Sequence, residues 1–317
     1  CHRLGQLSRN QAHGSPGNVL DLYAAADIPE TEAFRSVTPD TPLDSKLASS
    51  AAHVAGRPLV SSETGTWLRE HFHVSLSDMK ELADNLFVAG INHIVYHGTA
   101  YSPPEADWPG WLFYASAQLN PQNPVWHDFA VLNEYITRCQ SILQAGEPDN
   151  DLLVYLPIHD VFHKSENKLA EKLVIDGRWL RELPCMETFR MLWKRGYGFD
   201  YISDRQIADL NNENQKLTAP GGTYRALLIA PCEFMPVETL RKLTELRAQG
   251  VAVLFAPESP ADVPGLHRRD ERRSEFQELR KNIDVCPDIE KTLAQVGIRK
   301  ESMMDIFGLM CIRRRHE

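Results

Sequence analysis

Short apolar runs alternate with amphipathic stretches over the first 146 residues of the chain. Residues 58–60 and 91–96 are apolar runs of strand length, and residues 45–55, 75–90 and 125–145 carry apolar positions at helical spacing. An apolar run between polar residues is typical of a strand buried on both faces, as in parallel sheets. Strands that alternate with helices of this length predict a parallel α/β architecture.

A second periodic region follows residue 146. Residues 147–151 predict a linker, residues 236–249 predict a helix, and four further apolar runs predict strands over 152–156, 199–202, 225–230 and 251–256. This pattern is typical of a flavodoxin-like or Rossmann-like α/β domain, although no glycine-rich loop joins a strand to a helix as a nucleotide site requires. The sequence therefore predicts two domains, residues 1–146 and residues 147–317.

Polar residues follow the three strand ends predicted in the first region. They are Gln11 and His13, then Glu63 near Trp67, and then His97 and Tyr101. The carboxyl ends of the strands carry the chemistry of a (β/α)8 barrel, and polar residues at every junction favour a barrel over a doubly wound sheet, which concentrates its ligands at one switch point.

Glu63 is the first candidate for a catalytic group. Its alternative role is that of a carboxylate that favours the N-terminal dipole of a following helix. Aromatic side chains stack on the apolar faces of sugar rings, and Trp67, Tyr101, Trp108 and Trp111 lie on the predicted active-face loops. Trp108 and Trp111 have packing of a loop against the barrel as an alternative role, and for Trp111, which Leu112 and Phe113 follow, the sequence favours packing. His97 is a candidate for holding a substrate hydroxyl.

A second acidic cluster occupies residues 27–32. The sequence predicts a proline-containing turn here, with Glu30 and Glu32 either exposed to solvent or available to a hard cation or to sugar hydroxyls. Calcium prefers carboxylate and amide oxygens, so Gln11 and Asn18 join the pool of possible ligands.

Composition excludes several classes of protein. The chain has 317 residues and a formal net charge of −9, which argues against a nucleic-acid surface. No apolar stretch approaches the roughly 20 residues of a membrane helix. The 6 cysteines lack the spacing of a zinc site. Because the sequence begins with Cys1 and ends without a terminating element, we interpret it as part of a longer protein. It gives no indication of oligomeric state.

Three long segments resemble the catalytic domain of glycoside hydrolase family 106, the bacterial α-L-rhamnosidases. They are residues 11–32 (QAHGSPGNVLDLYAAADIPETE), 59–67 (LVSSETGTW) and 91–103 (INHIVYHGTAYSP). A weaker resemblance continues into the second domain, including residues 152–160 (LLVYLPIHD). The resemblance implies the C-terminal part of a (β/α)8 barrel, strands six to eight, followed by the flavodoxin-like accessory domain.

The resemblance also implies an activity. Terminal α-L-rhamnosides of plant polysaccharides or glycosides would be hydrolysed with inversion, with Glu63 as the general base at the end of strand seven. The general acid would lie near strand four, before this sequence, so this stretch would be inactive alone. His13, Trp67, His97, Tyr101 and Trp108 would contact substrate.

The same resemblance implies an active-site calcium ion that binds rhamnose hydroxyls. Glu30 is the first candidate ligand, and Glu32 and Gln11 are the next candidates. It further implies a parent protein that is periplasmic or secreted from a bacterium, with a rhamnose-containing glycan or glycoside as its partner. Two alternatives stay open at this stage. One is a carbohydrate-binding or scaffold barrel without catalysis, and the other is a retaining β-glycosidase with Glu63 as nucleophile.

Overall fold

The computed structural model describes residues 1–34, 41–68, 70–164, 177–306 and 309–316. Within these ranges the chain forms two four-stranded parallel sheets with helices between the strands, together with two small antiparallel sheets, one of three strands and one of two. The predicted parallel α/β architecture is confirmed. No helix in the same ranges has both the length and the apolar character needed to cross a membrane.

The first sheet contains four parallel strands in chain order. They are β1 (Arg9–Gln11), β2 (Ile28–Phe34), β3 (Ser61–Thr66) and β4 (His93–Tyr96). Each is followed by a helix, in turn α1 (Val19–Ala24), α2 (Thr41–Ala55), α3 (Leu76–Val88) and α4 (Phe129–Gln144). Each strand pairs with the strand that precedes it in the chain, as successive strands do in the wall of a barrel. The region thus has one strand more than the sequence predicted.

The additional strand is β2, and the prediction of a turn over residues 27–32 is wrong. Pro29 lies at the second position of β2 and pairs with Asn10 of β1. Proline lacks an N–H donor and is uncommon within sheets, which is why the sequence predicts a turn here. Glu30 and Glu32 are therefore fixed on a strand.

The strand predicted over residues 58–60 is also displaced. The structure forms β3 at Ser61–Thr66, so Glu63 is the third residue of a six-residue strand and does not follow its end. Ser61, Ser62 and Thr64 are almost completely buried. A strand whose buried side chains are mostly hydroxyl groups lacks the apolar pattern on which the prediction rested.

The helix ends in this half follow the sequence signals closely. Ser75 caps α3 by accepting a hydrogen bond from the Asp78 N–H, and the Asp78 side chain accepts one from the Ser75 N–H, which completes a capping box. Gly90, two residues after α3, adopts a φ of +97°, a conformation that favours glycine. Asn18 caps α1 through the Leu20 N–H.

The second sheet has the strand order β12-β11-β6-β7, with all strands parallel. Its strands are β6 (Leu152–Tyr155), β7 (Phe199–Ile202), β11 (Ala226–Ile229) and β12 (Ala252–Phe255). These bounds confirm the four predicted strands. The remaining strands are β5 (Glu147–Pro148), β8 (Asn211–Glu213), β9 (Lys216–Ala219), β10 (Gly222–Tyr224) and β13 (Arg314–Arg315). Because β5 pairs with β13, the predicted linker is partly a strand.

Seven short helices surround this second sheet in the described residues. They are α5 (Ile158–His163), α6 (Arg178–Arg181), α7 (Met186–Arg195), α8 (Asp204–Ala208), α9 (Val237–Ala248), α10 (Arg269–Arg280) and α11 (Ile289–Gln295). Helix α9 matches the helix predicted over residues 236–249. Its Leu240, Leu243 and Leu246, three residues apart on one helix face, are buried.

The two sheets share one hydrophobic core. Helix α2 contacts β2 of the first sheet and β7 of the second. Its Leu43 and Ala51 belong to the same buried cluster as Leu152 and Phe199 of the second sheet. The boundary at residue 146 stays a prediction, as does the arrangement of a barrel portion followed by a flavodoxin-like domain.

Candidate active site

Three carboxylates from two adjacent strands face the same side of the first sheet. In the parallel register, Glu30 of β2 pairs with Ser61 of β3, and Glu32 pairs with Glu63. Residues two apart on a strand share a face, so both pairs point to the same side. The Glu63 side chain is 28% exposed, whereas that of Glu30 is 9% exposed. The most accessible carboxylate of the three is therefore Glu63.

Each oxygen of Glu63 has its own partner. His97 Nδ1, just beyond β4, lies 2.9 Å from Oε1. The Gln11 side chain, at the end of β1, donates from Nε2 to Oε2 at 2.5 Å. Two residues from the strands on either side of the β2–β3 pair thus fix the direction of this carboxylate. The structure brings together Glu63, His97 and Gln11, which the sequence had placed at three separate strand ends.

Glu30 is surrounded by donors, two of which sequence reasoning missed. Ser61 Oγ donates to Oε2 at 2.7 Å, and Arg9 Nε lies 3.2 Å from the same oxygen. Gln11 Nε2 lies 3.3 Å from Oε1. The available signal was spacing, because Arg9 precedes Gln11 by two residues and Ser61 precedes Glu63 by two, which puts each pair on one strand face.

Glu32 has looser contacts on the same face. His13 Nε2 lies 3.7 Å from Glu32 Oε2, and the opposite ring nitrogen, Nδ1, lies 3.4 Å from the hydroxyl of Tyr23. Burial raises the pKa of Tyr23 far above its ordinary value, and the negative charges of Glu30 and Glu32 act in the same direction. Tyr23 is thus a neutral hydroxyl that supports His13.

The predicted aromatic contacts divide into one buried and two exposed side chains. Trp67 is 4% exposed and packs within the hydrophobic core, so it offers no ring face for stacking on a sugar. This corrects the expectation for Trp67. Tyr101 and Trp108 lie at the surface, and the Trp108 ring stacks against Phe72 at 5.7 Å between centroids. These two remain available to a ligand.

Asp27 is not a proton donor of this site. Its Oδ2 accepts from the Ser8 N–H and the Ser8 hydroxyl, both at 2.8 Å, and lies 2.6 Å from His2 Nε2. The hydrogen bond from the Ser8 N–H, followed by those of His2 and the Ser8 hydroxyl, holds the pKa of Asp27 well below its usual range. A group that stays ionised in this way tethers the start of the chain.

The model of the α-L-rhamnosidase family, glycoside hydrolase family 106, matches residues 7–305 of the sequence. The chain belongs to this family. The match includes both sheets and all of the candidate site residues described above. It confirms the resemblance that residues 11–32, 59–67 and 91–103 carry.

Known proteins similar to this family 106 chain are much longer. A protein of Formosa agariphila, named provisionally as a beta-glucuronidase, is 26% identical over 286 residues. The aligned part is 88% of this chain and 22% of that protein. The rhamnosidase structure from Novosphingobium sp. PP1Y aligns with a TM-score of 0.67 and 21% identity, covering 90% of this chain and 27% of that one. A beta-galactosidase structure from Halorubrum lacusprofundi has a TM-score of 0.50 and 13% identity, covering 91% and 40%. The two structures show a shared fold.

The family 106 resemblance implied a calcium ion held by Glu30, Glu32 and Gln11. Carboxylate and amide oxygens suit calcium, and two carboxylates with one amide would leave coordination positions for water and sugar hydroxyls. In the described residues, no three or more His, Cys, Asp and Glu side chains are grouped to hold a metal. The three residues thus fit calcium in chemical type, as an incomplete set that needs further oxygen ligands.

Proposed function

We propose that the natural chain containing this sequence hydrolyses terminal α-L-rhamnosides of plant polysaccharides or glycosides with inversion, and that Glu63 is its general base. Membership of the α-L-rhamnosidase family supports the substrate class. The observation that carries the role of Glu63 is its position, since it is the most exposed carboxylate of the cluster and both of its oxygens are held by neighbouring strands.

In this mechanism a water molecule attacks the anomeric carbon from the face opposite the leaving oxygen. Glu63 accepts a proton from that water as the new C–O bond forms. His97 and Gln11 keep the carboxylate aimed at the water. A carboxylic acid on the other side of the bond protonates the leaving oxygen, at about 6.5–9.5 Å from the base in inverting enzymes. Following the family resemblance, we place this acid on an earlier strand, outside the sequence.

The role of Glu63 is tested by Glu63→Gln in the full-length enzyme. The amide keeps the shape of the carboxylate but accepts no proton at neutral pH, so we expect kcat on an aryl α-L-rhamnoside to fall by roughly 10²–10⁴-fold. Glu81→Gln, an exposed glutamate on α3, is the matched control and should retain wild-type rates. A wild-type rate for Glu63→Gln would show that the base lies elsewhere.

The stereochemical course is tested by proton NMR of the first sugar anomer released. Inversion is expected if Glu63 activates water. A retained anomer would make Glu63 a nucleophile, and binding of rhamnose without any turnover would indicate a carbohydrate-binding or scaffold protein instead.

We further propose that Glu30, Glu32 and Gln11 hold a calcium ion, which when bound would orient the rhamnose hydroxyls and stabilise negative charge. We expect exhaustive chelation of the full-length enzyme to abolish rhamnoside hydrolysis, and added calcium to restore it. Calorimetric titration of the chelated protein with calcium should show one site that Glu30→Gln weakens. Full activity after chelation would refute this part of the proposal.

A further inference from the structure

The loop that follows β4 exposes a group of large apolar side chains next to Glu63. Their exposed fractions lie between 38% and 72%. They are Tyr101, Trp108, Trp111, Leu112, Phe113 and Tyr114. Single exposed apolar residues are ordinary, but a contiguous group of them marks a surface that binds something. We call residues 101–114 the aromatic loop.

The aromatic loop is continuous with the candidate catalytic group. His97, whose Nδ1 lies 2.9 Å from Glu63 Oε1, packs edge-on against Phe113 with ring centroids 5.3 Å apart. The Phe113 ring is in turn 4.9 Å from that of Tyr114. A path of ring contacts therefore leads from the Glu63 carboxylate outward to the exposed Tyr114.

Hydrogen bonds fix the shape of this loop. The Trp111 N–H donates to Ser102 Oγ at 3.0 Å, and Gln118 Nε2 donates to the Phe113 carbonyl at 2.6 Å. The Tyr101 and Trp111 rings meet edge to face, with centroids 6.3 Å apart. A surface held in this way loses little conformational freedom when a ligand binds.

The charged side chains in and near the aromatic loop indicate what kind of ligand it binds. The sequence has no Lys or Arg from residue 98 to residue 137, whereas the loop itself carries the exposed acids Glu105 and Asp107. Recognition of a uronate carboxylate requires a cation or several N–H donors, so the loop favours an uncharged ligand. Neutral pyranose rings meet this requirement, because their C–H faces stack on aromatic rings and their hydroxyls remain in water.

The two sides of Glu63 differ in character. The partly buried Gln11 and the buried Glu30 form a polar surface on the Oε2 side, with the exposed Arg9 beside Glu30, and this surface suits a small sugar with many hydroxyls. The aromatic loop lies beside Oε1 and faces solvent. The part of the substrate that extends away from the cleaved bond would therefore meet the aromatic loop.

We propose that the aromatic loop is the leaving-group subsite and that it binds neutral pyranose units of a glycan, with Trp111 and Tyr114 as stacking surfaces. The proposal rests on the proposed function for the position of the cleaved bond. In this proposal the residues that select the class of substrate are separate from those that transfer protons.

The test compares two substrates of the full-length enzyme. One is an α-L-rhamnosyl trisaccharide with two glucose units on the leaving side, and the other is 4-nitrophenyl α-L-rhamnoside, whose leaving group is a single ring. We expect Trp111→Ala to raise KM for the trisaccharide by about tenfold and to change kcat/KM for the nitrophenyl substrate by less than about twofold. Trp111→Phe should restore most of the loss, and Leu266→Ala, an exposed residue outside the loop, should have no effect.

Binding is measured separately by calorimetric titration of the neutral trisaccharide into Glu63→Gln, with and without Trp111→Ala. An affinity weakened about tenfold supports the subsite even if hydrolysis of rhamnosides is never observed, in which case the proposed function alone fails. Equal losses on both substrates, an unchanged trisaccharide KM and affinity, or tighter binding of a trisaccharide containing glucuronate would each overturn the subsite.

Discussion

One amide group, that of Gln11, contacts two carboxylates on neighbouring strands. Its Nε2 lies 2.5 Å from Glu63 Oε2 and 3.3 Å from Glu30 Oε1. Like charges that share a site raise each other's free energy, and an N–H₂ group placed between them offers a proton to each. Gln11 therefore has a positioning role toward Glu63. The sequence analysis had assigned Gln11 only the role of a calcium ligand.

Replacement of Gln11 tests this positioning role. Gln11→Leu keeps the approximate volume but removes the donor, so Glu63 is free to turn away from the attacking water. A hydrogen bond to a charged group is worth about 1.5–3 kcal/mol, so we expect kcat on an aryl α-L-rhamnoside to fall roughly ten- to a hundredfold with little change in KM. Steady-state kinetics of the full-length enzyme measures the effect.

Two comparisons separate positioning from other roles of Gln11. Gln6→Leu, an exposed glutamine near the same end of the chain, should leave kcat unchanged. A positioning defect persists in excess calcium, whereas full recovery at high calcium would identify Gln11 as a metal ligand alone. An unchanged kcat for Gln11→Leu would contradict both roles.

Individual site residues were predictable where they lie in a segment that resembles the family or at a predicted strand end. Glu63 and His97 came from separate segments of the sequence, and the fold places them 2.9 Å apart. The partners Arg9 and Ser61 were missed because they matter through the register of β1, β2 and β3, which the sequence alone did not give. Trp67 was assigned wrongly because an aromatic side chain near a candidate carboxylate fits a core position as well as a binding surface.

Among the elements, the apolar strands were predictable and the polar ones were not. Strand β6 is fully buried and consists of Leu, Val and Tyr, and its observed bounds agree with the prediction to within one residue. Strand β3 is also buried but consists of Ser, Glu, Thr and Gly. The hydroxyl groups of Ser61, Ser62 and Thr64 find partners inside the fold, as Ser61 does at Glu30 and Thr64 does at the Ser62 carbonyl. A strand stabilised by such partners has no hydrophobic signature.

Helix α3 was predicted well because local residues determine its ends. Ser75 and Asp78 form the capping box of α3 within four residues of sequence, and Gly90 lies just beyond the other end. Strand β2 shows the opposite case. Pro29 would ordinarily argue against a strand, but pairing with β1 and β3 on both sides stabilises the extended segment.

At the scale of the whole molecule, a buried polar cluster joins the two sheets. Asp200 of β7 is 0% exposed, and its Oδ1 lies 2.9 Å from His53 Nδ1 and 3.8 Å from Lys46 Nζ, both on α2. Its Oδ2 accepts from Asn150 Nδ2 at 2.9 Å and from the Tyr224 hydroxyl at 3.1 Å. These contacts fix α2 between the sheets, and through α2 they support the strands that carry the candidate site.

The charge of Asp200 makes this support depend on pH. Burial disfavours its ionised form, but His53, Lys46 and Asn150 outweigh burial and lower the pKa of Asp200 from 3.8 to about 2. The unfolded chain therefore binds a proton at higher pH than the folded chain does. The stabilisation from Asp200 is complete above about pH 5 and is lost as the pH falls from about 4 to about 2, in total roughly 2 kcal/mol.

Asp200→Asn isolates this contribution. At neutral pH the variant leaves Lys46 buried without its carboxylate, so we expect the free energy of unfolding to fall by about 3–5 kcal/mol. Between pH 5 and pH 2 the wild type loses the Asp200 term and the variant does not, so the difference between them should shrink by roughly 2 kcal/mol. Denaturant unfolding at successive pH values measures both curves, and Asp107→Asn, at an exposed aspartate, should follow the wild type. Parallel curves for wild type and Asp200→Asn would mean that ionisation of Asp200 does not make the free energy of unfolding depend on pH.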